Sequence, residues 1–330
     1  MSLRLSSAPA KRRLERDFSP RSEGEAAIGP PPGSDKGNNR PVRALTALVV
    51  VTAVWGVTFV QVKDAVAVYP VLAFLAIRFA IASATLAAPG AARLRRLGWR
   101  GVGAGAFAGV LLAGGYVLQT VGLERTSVSG AGFVTGMYVV LTPLLALGIF
   151  RIRIGRIAWT GVLLATVGLV MLAGVHGGSA SGDLLVLGGA GVYSLQIVLL
   201  ERFAPRYDAL AFTLVEMLAA FAVLALAAIP SLSVPHGGTV WGALVVTGVF
   251  ASALGFLVQT WVQQRASATR TALVFALEPV WAAIFGVSLA GDRLGALGWG
   301  GCVVIMAGIV LAEPAAGSAL VRLARRPGLA

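Results

Sequence analysis

Glu278, Arg78 and Glu216 are formally charged residues set inside long apolar runs of this 330-residue chain. An ionisable group in hydrocarbon costs about 2.5–3.5 kcal/mol on insertion scales, so each calls for an explanation. Glu278 stands immediately before Pro279. A proline lacks the N–H that a helix needs and leaves a carbonyl free, so a local helix break lining a cavity is expected there, and another at Pro143. In such a break Glu278 can bind a substrate ammonium or carry a coupling proton; the plainer alternative is a polar anchor held by a neighbouring helix. The planar fork of Arg78 suits a carboxylate or phosphate. Arg78 and Glu216 can equally pair with each other, as a gate or as a static bundle contact.

A broader polar and aromatic set accompanies them. Trp55, Gln61, Tyr116, Gln119, Tyr138, Tyr193, Gln196, Phe256, Gln259 and Trp261 lie within or at the ends of the same runs. Amides and hydroxyls in lipid face the bundle, where they find partners, and a few such groups among apolar walls make a small-molecule site. Interhelical hydrogen bonding and interfacial anchoring are the competing explanation, strongest for Trp55 and Trp261. Other chemistry is poorly supplied. Cys302 is a lone cysteine, and His176 and His236 fall in connecting loops far from any carboxylate in sequence. The spans offer no nucleophile–base or metal constellation, so no catalytic role, metal or cofactor is expected. The stretch Gly103-Ala-Gly105-Ala-Phe-Ala108 fits a dinucleotide pattern, but it has no strand before it, and Gly101, Gly105 and Gly109 recur at helix-packing spacing. A GK[ST] phosphate loop is absent, which excludes an ATP-driven pump within this chain.

The elements that must position these residues follow from composition. Apolar residues make up 57% and charged residues 12%, about half the ~25% of soluble proteins, with mean hydropathy +0.83. A soluble fold cannot hide that much apolar surface. A helix crosses ~30 Å of hydrocarbon in ~20 residues. Runs of that length lie at 44–62, 71–89, 101–123, 126–150, 157–175, 184–200, 209–229, 240–262, 271–290 and 294–312. The expected fold is all-α and integral to the membrane, with ten transmembrane helices as two inverted five-helix repeats.

Orientation comes from lysine and arginine. Residues 1–43 carry nine of them, and alternate connections carry most of the rest, whereas the opposite loops hold only Lys63, Arg125 and Arg293. Both termini are therefore expected in the cytoplasm. The net charge of +13 is a topology signal and not a nucleic-acid footprint. The expected organisation is a disordered cytoplasmic tail at 1–43, repeats at 44–176 and 183–313, and a second tail at 314–330.

The repeat is visible in the residues themselves. GYVLQT at 115–120 matches GFLVQT at 255–260, and at that offset of 140 Arg125 meets Arg265, Ser127 meets Ser267, and Trp159, Gly161 and Gly168 meet Trp299, Gly301 and Gly308. At an offset of 138, Leu72, Ala73 and Phe74 meet Leu210, Ala211 and Phe212, and Arg78 faces Glu216. Pro143 and Pro279 differ by 136, as though the first copy carries an extra turn before its proline. Five spans per copy is an odd number, so the copies must enter the membrane from opposite sides. Such inverted repeats underlie alternating access around a site near the midplane.

WGVTFVQVK at 55–63, LAIRFAIA at 75–82, TSVSGAGFVTGMYVVLTPLL at 126–145 and LEPVWAAIFG at 277–286 resemble the EamA family of the drug/metabolite transporter superfamily. The resemblance covers roughly 44–313. It implies a ten-helix carrier with a central cavity that exports amino acids or other small metabolites across the inner membrane. Family members often carry Gly-Glu before the last helix; here Gly291 and Asp292 stand there, and Arg151 and Arg153 occupy the matching place in the first half. The expectation is a secondary transporter whose partners are a small-molecule substrate, the bilayer, and protons or a counter-substrate. Multidrug or cationic efflux is the alternative within transport, and a membrane-embedded enzyme is the alternative outside it. The glycine-rich faces suit internal packing or a homodimer equally.

Overall fold

The computed structural model describes residues 40–173 and 179–312. Among the described residues the chain is helical with no strand. The helices are α1 (Arg40–Val66), α2 (Val71–Leu94), α3 (Gly98–Leu123), α4 (Val128–Gly136), α5 (Tyr138–Phe150) and α6 (Arg156–Ala173). They continue with α7 (Ala180–Phe203), α8 (Ala209–Ala228), α9 (Gly238–Val245), α10 (Gly255–Gln263), α11 (Ala268–Phe275), α12 (Leu277–Leu289) and α13 (Ala296–Ala312). A π-helical segment, Val246–Leu254, joins α9 to α10. The chain is a multi-pass membrane protein: among the described residues eight helical stretches are long and apolar enough to cross a bilayer, and Arg156–Leu172 and Ala296–Ala312 are shorter apolar helices. Large apolar side chains point outward along them, Leu163, Val170, Leu226 and Val303 each more than 60% exposed, as hydrocarbon permits. Helix α1 starts at Arg40, inside the segment expected to be tail; the remainder of that tail, the 314–330 tail and His176 lie outside the described residues.

Caps explain where the broken stretches begin. The Ser127 and Ser267 hydroxyls accept from the N–H groups of Gly130 and Arg270, so equivalent serines open α4 and α11. Both stretches then break, at Met137 and at Ala276. This corrects the placement expected from the prolines. Pro143 lies well inside α5 without interrupting it, and Pro279 sits in the first turn of α12, where a missing N–H costs little.

Glycine sets how closely the helices cross. A Cβ on Gly168 would stand 2.5 Å from the Gly301 carbonyl oxygen, and one on Gly301 would stand 2.5 Å from that of Gly168. Gly161 and Gly308 meet in the same reciprocal way, so α6 and α13 run antiparallel in backbone contact. Gly101, Gly105 and Gly109 approach Tyr207, Val215 and the Glu216 carbonyl, so the series read as helix packing lies against the chain from Tyr207 into α8.

Candidate functional site

Between these helices lies a cavity of about 620 Å³, counting the part open to solvent. Helix α1 supplies Trp55, Thr58, Phe59 and Val62, α2 supplies Arg78, and α3 supplies Tyr116, Gln119, Thr120 and Leu123. The breaks contribute Thr135 and Tyr138 on one side and Phe275 and Glu278 on the other. Tyr193, Gln196 and Ile197 of α7, with Phe256 and Gln259 of α10, complete the wall.

The aromatic side is a connected set. The Trp55 ring stands 4.9 Å from Phe275 and 5.4 Å from Phe256, and Tyr116 stands 5.5 Å from Tyr193. The π-helical segment fixes Trp55, whose indole N–H donates to the Ala251 carbonyl at 2.9 Å. Gly255 leaves room for that indole, since a Cβ there would stand 2.8 Å from its nitrogen. A π turn exposes groups that an α-helix would use internally.

Arg78 is buried at 3% exposure. Its Nε donates to the Ser252 hydroxyl at 2.8 Å, its Nη2 donates to the Tyr116 hydroxyl at 3.0 Å, and the guanidinium lies 4.4 Å from the Tyr116 ring centroid. These partners are neutral, so the positive charge is oriented without being compensated. Glu278 is 5% exposed and bonded to Tyr138, whose hydroxyl also reaches the Phe275 carbonyl at 2.6 Å. That carbonyl is the acceptor Pro279 leaves unused, and the single hydrogen of the Tyr138 hydroxyl lies between it and the Glu278 carboxyl group. Arg78 and Glu278 face one cavity and form no ion pair with each other. A polar molecule carrying both signs is the chemistry that answers such a wall.

The two repeat-related amides have diverged. Gln119 donates to Thr135 and accepts from Tyr193, each at 3.0 Å. Gln259 instead donates to the side-chain oxygens of Gln196 and Gln263, each at 3.0 Å.

Of the residues singled out from sequence, Trp55, Arg78, Tyr116, Gln119, Tyr138, Tyr193, Gln196, Phe256, Gln259 and Glu278 come together on this wall. Gln61 and Glu216 do not line it. The Arg78–Glu216 pair expected across the halves is not formed. Glu216 accepts from Gln196 at 2.8 Å, while Arg78 is taken up by Ser252 and Tyr116. Equivalent positions in the two halves sit on different neighbours: α8 turns Glu216 toward α7, and α2 turns Arg78 toward the π segment. Trp261 points outward at 40% exposure, as an interfacial anchor would, and His236 is exposed. Sequence reasoning missed Thr135, Ser252 and Phe275. Phe275 had a readable signal, because it stands four residues before Pro279.

Outside the cavity, charged side chains reach helix starts from a loop or from neighbouring helices. Asp292 accepts from the Ser129 N–H at 2.9 Å and from its hydroxyl at 2.5 Å, in the first turn of α4. Glu201 accepts from the Ala268 N–H at 2.9 Å, at the first residue of α11. Lys63 donates to the Thr126 carbonyl. An acid near a helix N-terminus also meets the positive end of the helix dipole.

Comparison with known proteins agrees with the architecture. An "uncharacterized transporter" of Archaeoglobus fulgidus is 29% identical over 269 residues, 80% of this chain and 83% of that protein. The "uncharacterized inner membrane transporter YedA" of Escherichia coli K12 is 29% identical over 278 residues, 80% of this chain and 89% of that protein. One crystal structure shares the fold with a TM-score of 0.68 at 21% identity, covering 83% of this chain and 99% of that one. Residues 42–174 and 180–312 each match the EamA-like transporter family, and the chain belongs to it.

Proposed function

We propose that this protein is a secondary transporter that exports a small zwitterionic metabolite, an amino acid or a close relative, across the cytoplasmic membrane by alternating access. The observation that carries this reading is the cavity wall, where an uncompensated guanidinium and a carboxyl group stand apart among aromatic rings and amides. Arg78 offers a fork to a carboxylate, and Glu278 offers acceptors to an ammonium group. A purely cationic drug gains from Glu278 but must approach Arg78, which disfavours the efflux alternative.

The two matched halves support ten spans as two inverted five-helix repeats, with the shorter α6 and α13 as the last span of each. The antiparallel crossing of these helices supports inversion: Gly161 meets Gly308, and their repeat partners Gly301 and Gly168 meet in turn. The breaks at Met137 and Ala276 lie beside the cavity, where irregular backbone is tolerated in a membrane. The arginine-rich side, carrying both termini, is cytoplasmic.

The test is the extracellular metabolite profile of cells overexpressing the wild type, Arg78→Gln, Glu278→Gln or an empty vector, with membrane insertion verified. Enrichment of one or a few amino acids by the wild type, lost in both variants, is expected. A wild-type profile identical to the vector's would refute the exporter reading.

A further inference from the structure

Glu216 is fully buried, lies off the cavity lining, and belongs to a chain of side chains whose hydrogens can be counted. The chain begins at a backbone carbonyl. Gln263 Nε2 donates to the Ile197 carbonyl at 2.8 Å, and a carbonyl can only accept, so Gln263 must present its oxygen to Gln259. Gln259 therefore turns its NH₂ toward Gln263 and Gln196, and Gln196 turns its own NH₂ toward Glu216 Oε1 at 2.8 Å. No amide in this chain can be turned round without setting oxygen against oxygen. Two buried oxygens remain without a hydrogen: Glu216 Oε2 and Gln259 Oε1. The network has acceptors in surplus and lacks a donor. Two free oxygens are too few for a hard metal cation, which takes about six oxygen ligands.

We propose that Glu216, held by Gln196 behind the wall that Gln196 and Gln259 form, is a proton-binding site that drives the carrier. The proton belongs on Oε2, since Oε1 already accepts from Gln196. It also removes a full negative charge that is fully buried and has no ion-pair partner among the described residues. The groups on the packed helices that face Glu216 do not substitute for it. On α2, Arg78 is committed to Ser252 and Tyr116, and on α3 the Tyr116 hydroxyl accepts from Arg78. On α7, the Tyr193 hydroxyl donates to Gln119, and α10 brings only the amides already counted. Arg93, Arg100, Glu124, Asp183 and Glu201 stand at or near helix ends, away from the middle of α8. Loss of the proton leaves a carboxylate with one donor, which draws the amides of Gln196 and Gln259 toward it. Both amides line the cavity, so the protonation state of Glu216 reaches the substrate wall.

The inference rests on the carrier reading for its function but not for the proton itself, and the two are tested separately. Infrared spectroscopy of the full chain in detergent should show a carboxylic-acid band at neutral pH that shifts in D₂O and loses intensity in Glu216→Gln. Should that variant fail to fold, Glu278→Gln leaves Glu216 as the sole buried glutamate among the described residues, and the band must persist there. No such band in Glu278→Gln, or a band unchanged by Glu216→Gln, overturns the proposal. For coupling, the full chain in proteoliposomes is given a mixture of the common amino acids and an imposed pH gradient. One-proton coupling changes the accumulation ratio about tenfold per pH unit in the wild type. Glu216→Gln should equilibrate the same compounds without responding to the gradient. A wild type that ignores the gradient, or a variant that responds equally, defeats the coupling; a wild type that takes up nothing defeats the amino-acid reading, and the infrared band then decides the proton site alone.

Discussion

The hydroxyl of Tyr138 lies 2.8 Å from Oε2 of Glu278, and the two residues are 140 apart, the offset that also aligns Ser127 with Ser267. Tyr138 opens α5 and Glu278 lies in the first turn of α12, so the two breaks touch each other through these side chains. The Tyr138 hydroxyl carries one hydrogen and faces two acceptors, Glu278 and the Phe275 carbonyl.

Removing the Tyr138 hydroxyl takes away the one hydrogen that the Phe275 carbonyl and Glu278 share. Tyr138→Phe should therefore lower stability by about 1–3 kcal/mol. Glu278→Gln keeps an acceptor facing Tyr138 and should unfold near the wild-type temperature while losing export. Thermal unfolding in detergent alongside the export assay separates the two. A Tyr138→Phe protein as stable as the wild type would show that the hydroxyl is dispensable.

The α6–α13 crossing predicts unequal costs for one chemical change. Gly301→Ala drives a methyl into the Gly168 backbone and should destabilise by about 1–3 kcal/mol, as overpacking does. Gly103→Ala, where a Cβ meets nothing within 4 Å, should be neutral or stabilising by up to about 1 kcal/mol. Equal midpoints for both variants would contradict the crossing.

Arg78 and Glu216 have no common hydrogen-bond partner, so their effects on stability should add. In a double-mutant cycle of Arg78→Gln and Glu216→Gln, the coupling energy is expected to stay within about 0.5 kcal/mol. A larger coupling would restore the gate pair. Arg78→Lys keeps the charge but loses the fork, and export should drop as in Arg78→Gln.

Asp292 secures the start of α4 from a distant loop. Asp292→Asn keeps the shape but not the charge at that helix start, and Asp292→Ala removes the acceptor as well. Stability losses of a few tenths and about 1 kcal/mol respectively are expected, with the larger loss matched by Ser129→Ala if the Ser129 hydroxyl carries most of the contact. By comparison Arg93→Ala breaks a surface pair at 3.2 Å whose side chains are 50% and 30% exposed, and should cost under about 1 kcal/mol.

Much of the site was legible because of where its chemistry had to sit. Arg78 and Glu278 stand out in apolar runs, and charges in hydrocarbon turn inward wherever a polar wall exists. Tyr116 with Gln119, and Phe256 with Gln259, are each one turn apart, so helical geometry puts them on a common face. Gln61 carried the same signal and lies elsewhere, because position along a helix does not fix which neighbour a side chain meets.

The helix breaks show the limit more sharply. Pro143 and Pro279 pointed to the right stretches but not to the right residues, since a proline in a first turn ends nothing. The sequence by itself determined a membrane-spanning all-helical chain and its duplicated halves, because hydropathy and internal similarity are written along the chain whatever its packing. Only the tertiary structure decided that Arg78 turns to Ser252 and not to Glu216, that Tyr138 meets Glu278, and that Glu216 is left with an oxygen lacking a hydrogen. Those facts depend on how helices distant in sequence rotate against one another, and glycine contacts such as Gly109 on the Glu216 carbonyl and Gly248 on that of Arg78 set that rotation.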